Sequence, residues 1–290
     1  MAEAALKIQW EPRYAFLLLK EHPYGRQMLQ SLMKAGYPPL VVIQEGPNDI
    51  ATEEREKFEK RCEGHPLAPP ISELCAGTDI EVVDVPQHNK KACQEVINRH
   101  KPDLLVLGGT RIIREPVLSM TPLVLNAHPG LLPECRGSAS PAWSVYHDIP
   151  IGSTCHICSP GIDTGDILIK REVAVKKGGS KKIKYKNLSQ LIHSHQPFPR
   201  LASGYTYEDL CYYTLDLSAT LMTEAMTALA AGTLDSLRTK QGESKHETFL
   251  NAPDFVLAEV KDKLANFTYK HYAPLTIRPS IGGVRIDSKL

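Results

Sequence analysis

Short apolar runs alternate with helix-like stretches through the first half of this chain, a pattern that a parallel α/β sheet satisfies and few other architectures do. Tyr14 to Leu19, Leu40 to Ile43, Ile80 to Val85, Leu104 to Leu107 and Leu123 to Asn126 read as successive strands. Between the first two, Met28, Leu29, Leu32 and Met33 recur at helical spacing, and Gly36 supplies a stop. Residues 52–62 are strongly charged and predict a solvated helix ending near Gly64, before a loop marked by Pro66, Pro69 and Pro70. Lys90 to His100 predicts a crossover helix. Further on, Ser153 to Cys158 and Ile167 to Val175 read as a pair of strands. Thr206 caps a long helix whose apolar face carries Leu210, Leu217, Leu221 and Leu229, and Gly232 ends it. The expected fold is a doubly wound, mostly parallel α/β domain over residues 13–232. Residues 181–204, opening with four lysines among Lys181 to Lys186, interrupt it as an insertion. Residues 233–290 follow as an extension with one short amphipathic helix, Val256 to Leu264.

Composition narrows the function classes. Of 290 residues, 42% are hydrophobic and 23% charged, enough for a sizeable core. A net charge of +1 offers no field for nucleic acid or an anionic membrane. The longest apolar runs are too short to span a bilayer, and the N-terminus lacks the basic start and apolar stretch of a secretory signal. Seven cysteines without a spacing framework fit free thiols in a reducing compartment, so a cytoplasmic location is expected.

The segment Asn126-Ala-His-Pro-Gly-Leu-Leu-Pro-Glu-Cys-Arg-Gly137 follows a strand directly. Its polar residues therefore fall at a strand's carboxyl end, where open α/β sheets place ligand sites. Two residues apart, Asn126 and His128 project from one face if strand geometry persists. Ser159-Pro-Gly-Ile-Asp-Thr-Gly165 is a glycine-bracketed turn after another strand, which brings Asp163 toward the same pocket. Such a trio suits acyl transfer to an amine. Asn126 donates to an oxygen on which charge is growing, and a protonated His128 is a stronger donor, each contributing roughly 3–4 kcal/mol. A carboxylate beside the imidazole raises its pKa and accepts a proton through water.

Other polar residues invite blander readings. Cys155 and Cys158 lie three apart on a strand, so their sulfurs diverge and no zinc site is expected. His156 reads as a structural histidine near the pocket. His193 and His195 lack a third ligand nearby, and no metal is expected anywhere.

With Asn126-Ala-His128-Pro-Gly-Leu131-Leu132-Pro133 followed by Asp163-Thr-Gly165, the chain resembles the folate-dependent formyltransferase family, over roughly residues 13–177 and 205–232. Arg136-Gly137 and Ile162 to Leu168 are most similar to the branch containing methionyl-tRNA and sugar-amine formyltransferases. The resemblance implies 10-formyltetrahydrofolate as formyl donor, its pterin held by Arg111, Ile112, Ile113, Leu131 and Leu132 and by backbone groups of Ser159, Pro160, Gly161 and Ile162. It implies Asn126, His128 and Asp163 as catalytic groups. Departures from the pattern bear on the acceptor. After the first strand stands Lys20-Glu-His-Pro-Tyr-Gly-Arg26, a poor phosphate nest with one glycine, which disfavours glycinamide ribotide. A short, strand-poor tail and balanced charge disfavour tRNA, and a catalytic sheet that begins at once disfavours the folate-hydrolysing relatives. A small amine, such as an amino sugar, is the expected acceptor. Methionyl-tRNA formylation, hydrolysis of the formyl donor and a folate-binding protein disabled by the insertion stay open as alternatives, as does the oligomeric state.

Overall fold

The computed structural model describes residues 11–173, 175–176 and 205–273; the 181–204 segment with His193 and His195 lies outside these. A seven-stranded sheet organises the chain, in the order β3-β2-β1-β4-β5-β6-β7. Its strands are β1 (Tyr14–Leu19), β2 (Val41–Glu45), β3 (Glu81–Val85), β4 (Leu104–Leu107), β5 (Leu123–His128), β6 (Gly152–Ile157) and β7 (Ile167–Glu172). The first five are parallel to one another, whereas β6 runs antiparallel to both β5 and β7. The expected α/β architecture is the one observed. A short β8 (Val175–Lys176) pairs separately with β9 (Tyr272–Ala273).

Every residue of β1 is buried, as its unbroken apolar run requires of a central strand covered on both faces. Alternation divides its side chains between two cores. Tyr14, Phe16 and Leu18 enter the larger one with Met28, Leu29 and Leu32 of α1 (Pro23–Lys34). Ala15 and Leu17 enter the smaller one, where Cys93, Val96 and Ile97 of α4 (Lys91–His100) cover the opposite face. The charged stretch forms α2 (Asp49–Arg61), capped by Asn48, whose side chain accepts from Ala51 N at 2.8 Å. A one-turn α3 (Ile71–Leu74) and α5 (Ser140–Tyr146) appear where no helical period stood out in the sequence.

The long helix α6 (Tyr207–Ala230) starts with a full capping box between Thr206 and Asp209. Asp209 is buried and pairs with His65 at 2.8 Å, whose ring stacks on Tyr212. Beyond a short α7 (Leu234–Leu237), α8 (Asp254–Ala265) sends Val256, Val260 and Leu264 into the larger core. Leu234 and the buried face of α8 thus share the core of the sheet domain. No helix among the described residues is long and apolar enough to cross a membrane.

His22 caps α1 by accepting from Tyr24 N through Nδ1 at 3.2 Å. Burial, with the charges of Arg61 and Arg26 alongside, pushes its pKa down to about 3. The folded protein therefore refuses a proton that the unfolded chain accepts below its ordinary imidazole value. Between that value and pH 3, this group removes about 1.4 kcal/mol of stability per pH unit as pH falls. His22→Asn keeps a cap acceptor and removes the titration. Its unfolding free energy, followed by urea titration from pH 7 to pH 4, is expected to fall less steeply than the parent's. Parallel slopes would contradict the assignment.

Candidate active site

Asn126 and His128 occupy the end of β5, and the antiparallel register sets Asn126 directly opposite His156 of β6. The His156 Nδ1–H donates to Ile157 O at 3.0 Å, which leaves Nε2 to accept from Asn126 Nδ2 at 3.2 Å. One hydrogen of the Asn126 amide remains for a ligand. Asp163 lies on the turn after β6 in the left-handed region, φ 51°, which Asp adopts more readily than most residues. Its Oδ2 accepts from Gly137 N at 2.9 Å and stands 3.4 Å from His128 Nδ1, while Oδ1 is 3.5 Å from His156 Nε2. The structure therefore brings together all three predicted polar residues and adds His156. The sequence places His156 near the pocket but reads it as structural; strand register sets it against Asn126.

Two contacts fix the His128 ring. Nε2 lies 2.7 Å from Cys135 O and 3.1 Å from Ser140 Oγ. A carbonyl only accepts, so Nε2 carries hydrogen and Nδ1, facing Asp163, carries the lone pair of the neutral ring. Burial lowers the His128 pKa; Asp163 pulls it back only in part. The protonated imidazole expected from sequence is thus corrected to a neutral one near pH 7, because the ring lies 4% exposed. Burial pushes the Asp163 carboxyl upward, but the positive charge that His128 or His156 carries when protonated, together with the Gly137 N–H, outweighs it and holds the group well below the usual carboxylate range. The pair is an ionised carboxylate beside a neutral imidazole.

These groups open into a cleft of about 620 Å³, a size typical of small-molecule sites. Arg111, Ile112 and Ile113 line it on one side, with Ser159, Pro160, Gly161 and Ile162 at the Asp163 turn. Ile112 and Ile162 are exposed at its lip, 48% and 40% respectively. Arg111 reaches back to the buried Glu45, Nη1 to Oε1 at 3.5 Å, and Glu45 Oε2 accepts from His88 N at 2.9 Å. Leu131 and Leu132 do not line the cleft, which corrects that expectation. Leu131 packs on Gly152, where an added Cβ would meet its Cδ2 at 2.6 Å, and Leu132 N donates to Thr154 Oγ1 at 3.1 Å; both are buried against β6.

A further wall comes from the C-terminal residues Thr248 to Asn251. Phe249 there stacks on Trp143 at 4.9 Å and exchanges backbone hydrogen bonds with Arg136 and Ser138. Nothing in the apolar pattern of residues 233–290 marked this contact. Cys155 enters the larger core and Cys158 packs against the smaller, so their side chains leave opposite faces of the sheet. Among the described residues no His, Cys, Asp and Glu cluster could hold a metal ion.

Residues 41–197, more than half of the chain, match the formyl transferase family. The chain belongs to this family. A methionyl-tRNA formyltransferase of Syntrophus aciditrophicus (strain SB) is 28% identical over 182 residues, covering 62% of this chain and 55% of the relative. One from Ruminiclostridium cellulolyticum is 33% identical over 138 residues, covering 47% of this chain and 44% of its own. The chain spans about half the length of the curated relatives it matches. Among solved structures, a 4-N formyltransferase from Francisella tularensis superposes with a TM-score of 0.53 at 16% identity, over 92% of this chain and 94% of that one. Glycinamide ribonucleotide transformylase 1 from Symbiobacterium toebii gives 0.50 at 22% identity, over 76% and 88%. These likenesses establish the formyltransferase fold, and the cleft at the ends of β4 and β5 is where this member of the family gathers its polar residues.

Proposed function

We propose that the chain transfers the formyl group of 10-formyltetrahydrofolate to the primary amine of a small molecule, with an amino sugar as the first acceptor to try. The observation that carries this reading is the fixed His128 tautomer. Its Nδ1 lone pair faces a cleft shared with the free Asn126 N–H and the ionised Asp163. Folate would lie against Arg111, Ile112 and Ile113, with Ser159, Pro160, Gly161 and Ile162 beneath, and the amine would enter beside Asn126.

In this reading Asn126 Nδ2 donates to the formyl oxygen as the amine nitrogen attacks the formyl carbon. His128 Nδ1 takes the proton that the amine sheds. The imidazolium so formed is stabilised by Asp163 at one nitrogen and Cys135 O at the other, and it sits beside the oxygen that has become negative. As the carbon–nitrogen bond to N10 of the folate breaks, that proton returns to N10. Formamide and tetrahydrofolate leave, and no other reactant is consumed. His128 is thus both the base and, transiently, the cation expected from sequence.

The relatives named above carry methionyl-tRNA formylation in their names, which makes methionyl-tRNA a second acceptor to test. The near-zero net charge favours the small amine. Tetrahydrofolate release should be measured across an amine panel that includes nucleotide-linked amino sugars and methionyl-tRNA, with His128→Ala beside the parent. Acceptor-dependent release, abolished in the variant, is expected. Formate appearing without any amine would replace the reading with hydrolysis, and folate binding without release would end it.

A further inference from the structure

Between the two catalytic turns lies a side chain from outside the family match, which ends at residue 197. Gln241 Oε1 accepts from Arg136 Nη2 at 2.9 Å and Nε at 3.3 Å. Its Nε2 donates to Asp163 O at 2.9 Å and to Gly165 O at 2.5 Å. The amide orientation is settled by chemistry, since a guanidinium only donates and carbonyls only accept. All the strong valences of the amide are therefore spent on residues 136, 163 and 165. Neighbouring contacts seat the same segment. Thr239 exchanges two backbone bonds of 2.8 Å with Ile167, Arg238 Nε bonds Asp166 Oδ2 at 2.6 Å, and Trp143 Nε1 donates to Leu250 O at 2.7 Å.

We infer that Gln241 is a positioning residue that locks the Arg136-Gly137 turn to the Asp163 turn, so that Gly137 N–H and His128 meet the Asp163 carboxylate in register. Asp163 is in a left-handed backbone conformation that few neighbours enforce from within its own turn, where Ser159 Oγ and Thr164 Oγ1 pair at 2.7 Å. The enforcing bond on its carbonyl comes from Gln241, which also holds Gly165 O two residues on. Gly137 has φ 96° and bridges to Phe249, so its turn leans on the same C-terminal segment. A residue 78 positions downstream of Asp163 thus joins the two halves of the site.

The inference rests on the formyl-transfer reading for its kinetic arm and on geometry alone for its other arm. Three proteins are compared: the parent chain, Gln241→Ala and Gln241→Glu. The glutamate is isosteric and keeps an acceptor for Arg136, but it has no N–H for the two carbonyls. Both variants are expected to speed hydrogen exchange at the Gly137 amide, with thermal unfolding close to the parent's. Both are expected to lower kcat for acceptor-dependent tetrahydrofolate release roughly 10- to 100-fold, with KM for the folate donor held. Parental exchange at Gly137 in the glutamate variant overturns the inference, whether or not kcat falls. A parent that releases no tetrahydrofolate with any amine defeats the formyl-transfer reading instead, and the exchange comparison still decides the role of Gln241.

Discussion

Asp163→Asn is expected to lower kcat by about 10³-fold, within the range that positioned proton-transfer groups contribute. The substitution is nearly isosteric, and an amide oxygen still accepts from Gly137 N, now 2.9 Å from Oδ2. The turn is therefore kept, and what is lost is the charge that faces His128 Nδ1 at 3.4 Å. Without it, the imidazolium that the proposed mechanism forms during attack lies buried with only Cys135 O and Ser140 Oγ as partners. The pH dependence separates this from a folding defect. In the proposed mechanism His128 must be neutral to act, so kcat/KM is expected to be lost as pH falls through its pKa. Burial sets that limb below the ordinary imidazole value of about 6.5. Asp163 raises the His128 pKa, so removing its charge moves the limb lower still. A variant with near-parental kcat, or with its acid limb moved upward, would defeat the assignment of Asp163 as the counter-charge.

What the sequence discloses of this site follows from which forces act locally. Buried parallel strands announce themselves as apolar runs, and β1 and β4 begin and end where the runs of Tyr14–Leu19 and Leu104–Leu107 do. The Thr206 cap is equally local, three residues from its partner Asp209. Asn126, His128 and Asp163 could be grouped because a strand end and a glycine-bracketed turn are both short-range signals. The protonation of His128 was hidden because it depends on depth: the same His and Asp at the surface would favour the cation, whereas here desolvation wins. The pairing of His156 with Asn126 was hidden, although its nearness to the pocket was not, because strand register is a pairing between β5 and β6 and nothing inside either strand encodes it.

Leu131 and Leu132 failed as cleft residues for a related reason. They follow His128 closely in sequence, yet the chain turns after Gly130, whose Cβ position is closed by Cys135 O and His128 Nε2 at 2.7 Å each. That turn directs the two leucines into the core instead of the opening. The C-terminal wall is the hardest to foresee. Phe249 and Gln241 act through backbone bonds and one amide, features without periodicity, and their partners lie about a hundred residues upstream.

Gly165→Ala is expected to lower kcat by about 100-fold and to cost about 1–3 kcal/mol of stability. A Cβ at Gly165 would stand 1.7 Å from Ile157 O and 2.8 Å from its carbonyl carbon. Neither atom can yield cheaply. Ile157 is the last residue of β6, its N–H is bonded to Asp166 O at 2.9 Å, and it faces Leu125 across the sheet. The turn must therefore lift away from the strand, carrying Asp163 off His128 and pulling Gly165 O from Gln241. Gly161, at the other end of the same turn, provides the contrast. A Cβ there meets Thr164 Oγ1 at 2.5 Å, a side-chain atom that can rotate aside, so Gly161→Ala is expected to cost far less stability. Thermal unfolding of the two variants tests the difference, and kcat of Gly165→Ala tests its consequence. Equal unfolding midpoints would mean that the β6 carbonyl does yield. Parental kcat in Gly165→Ala would mean that Asp163 tolerates displacement, and the tight registration of the two turns would then not be what sets the rate.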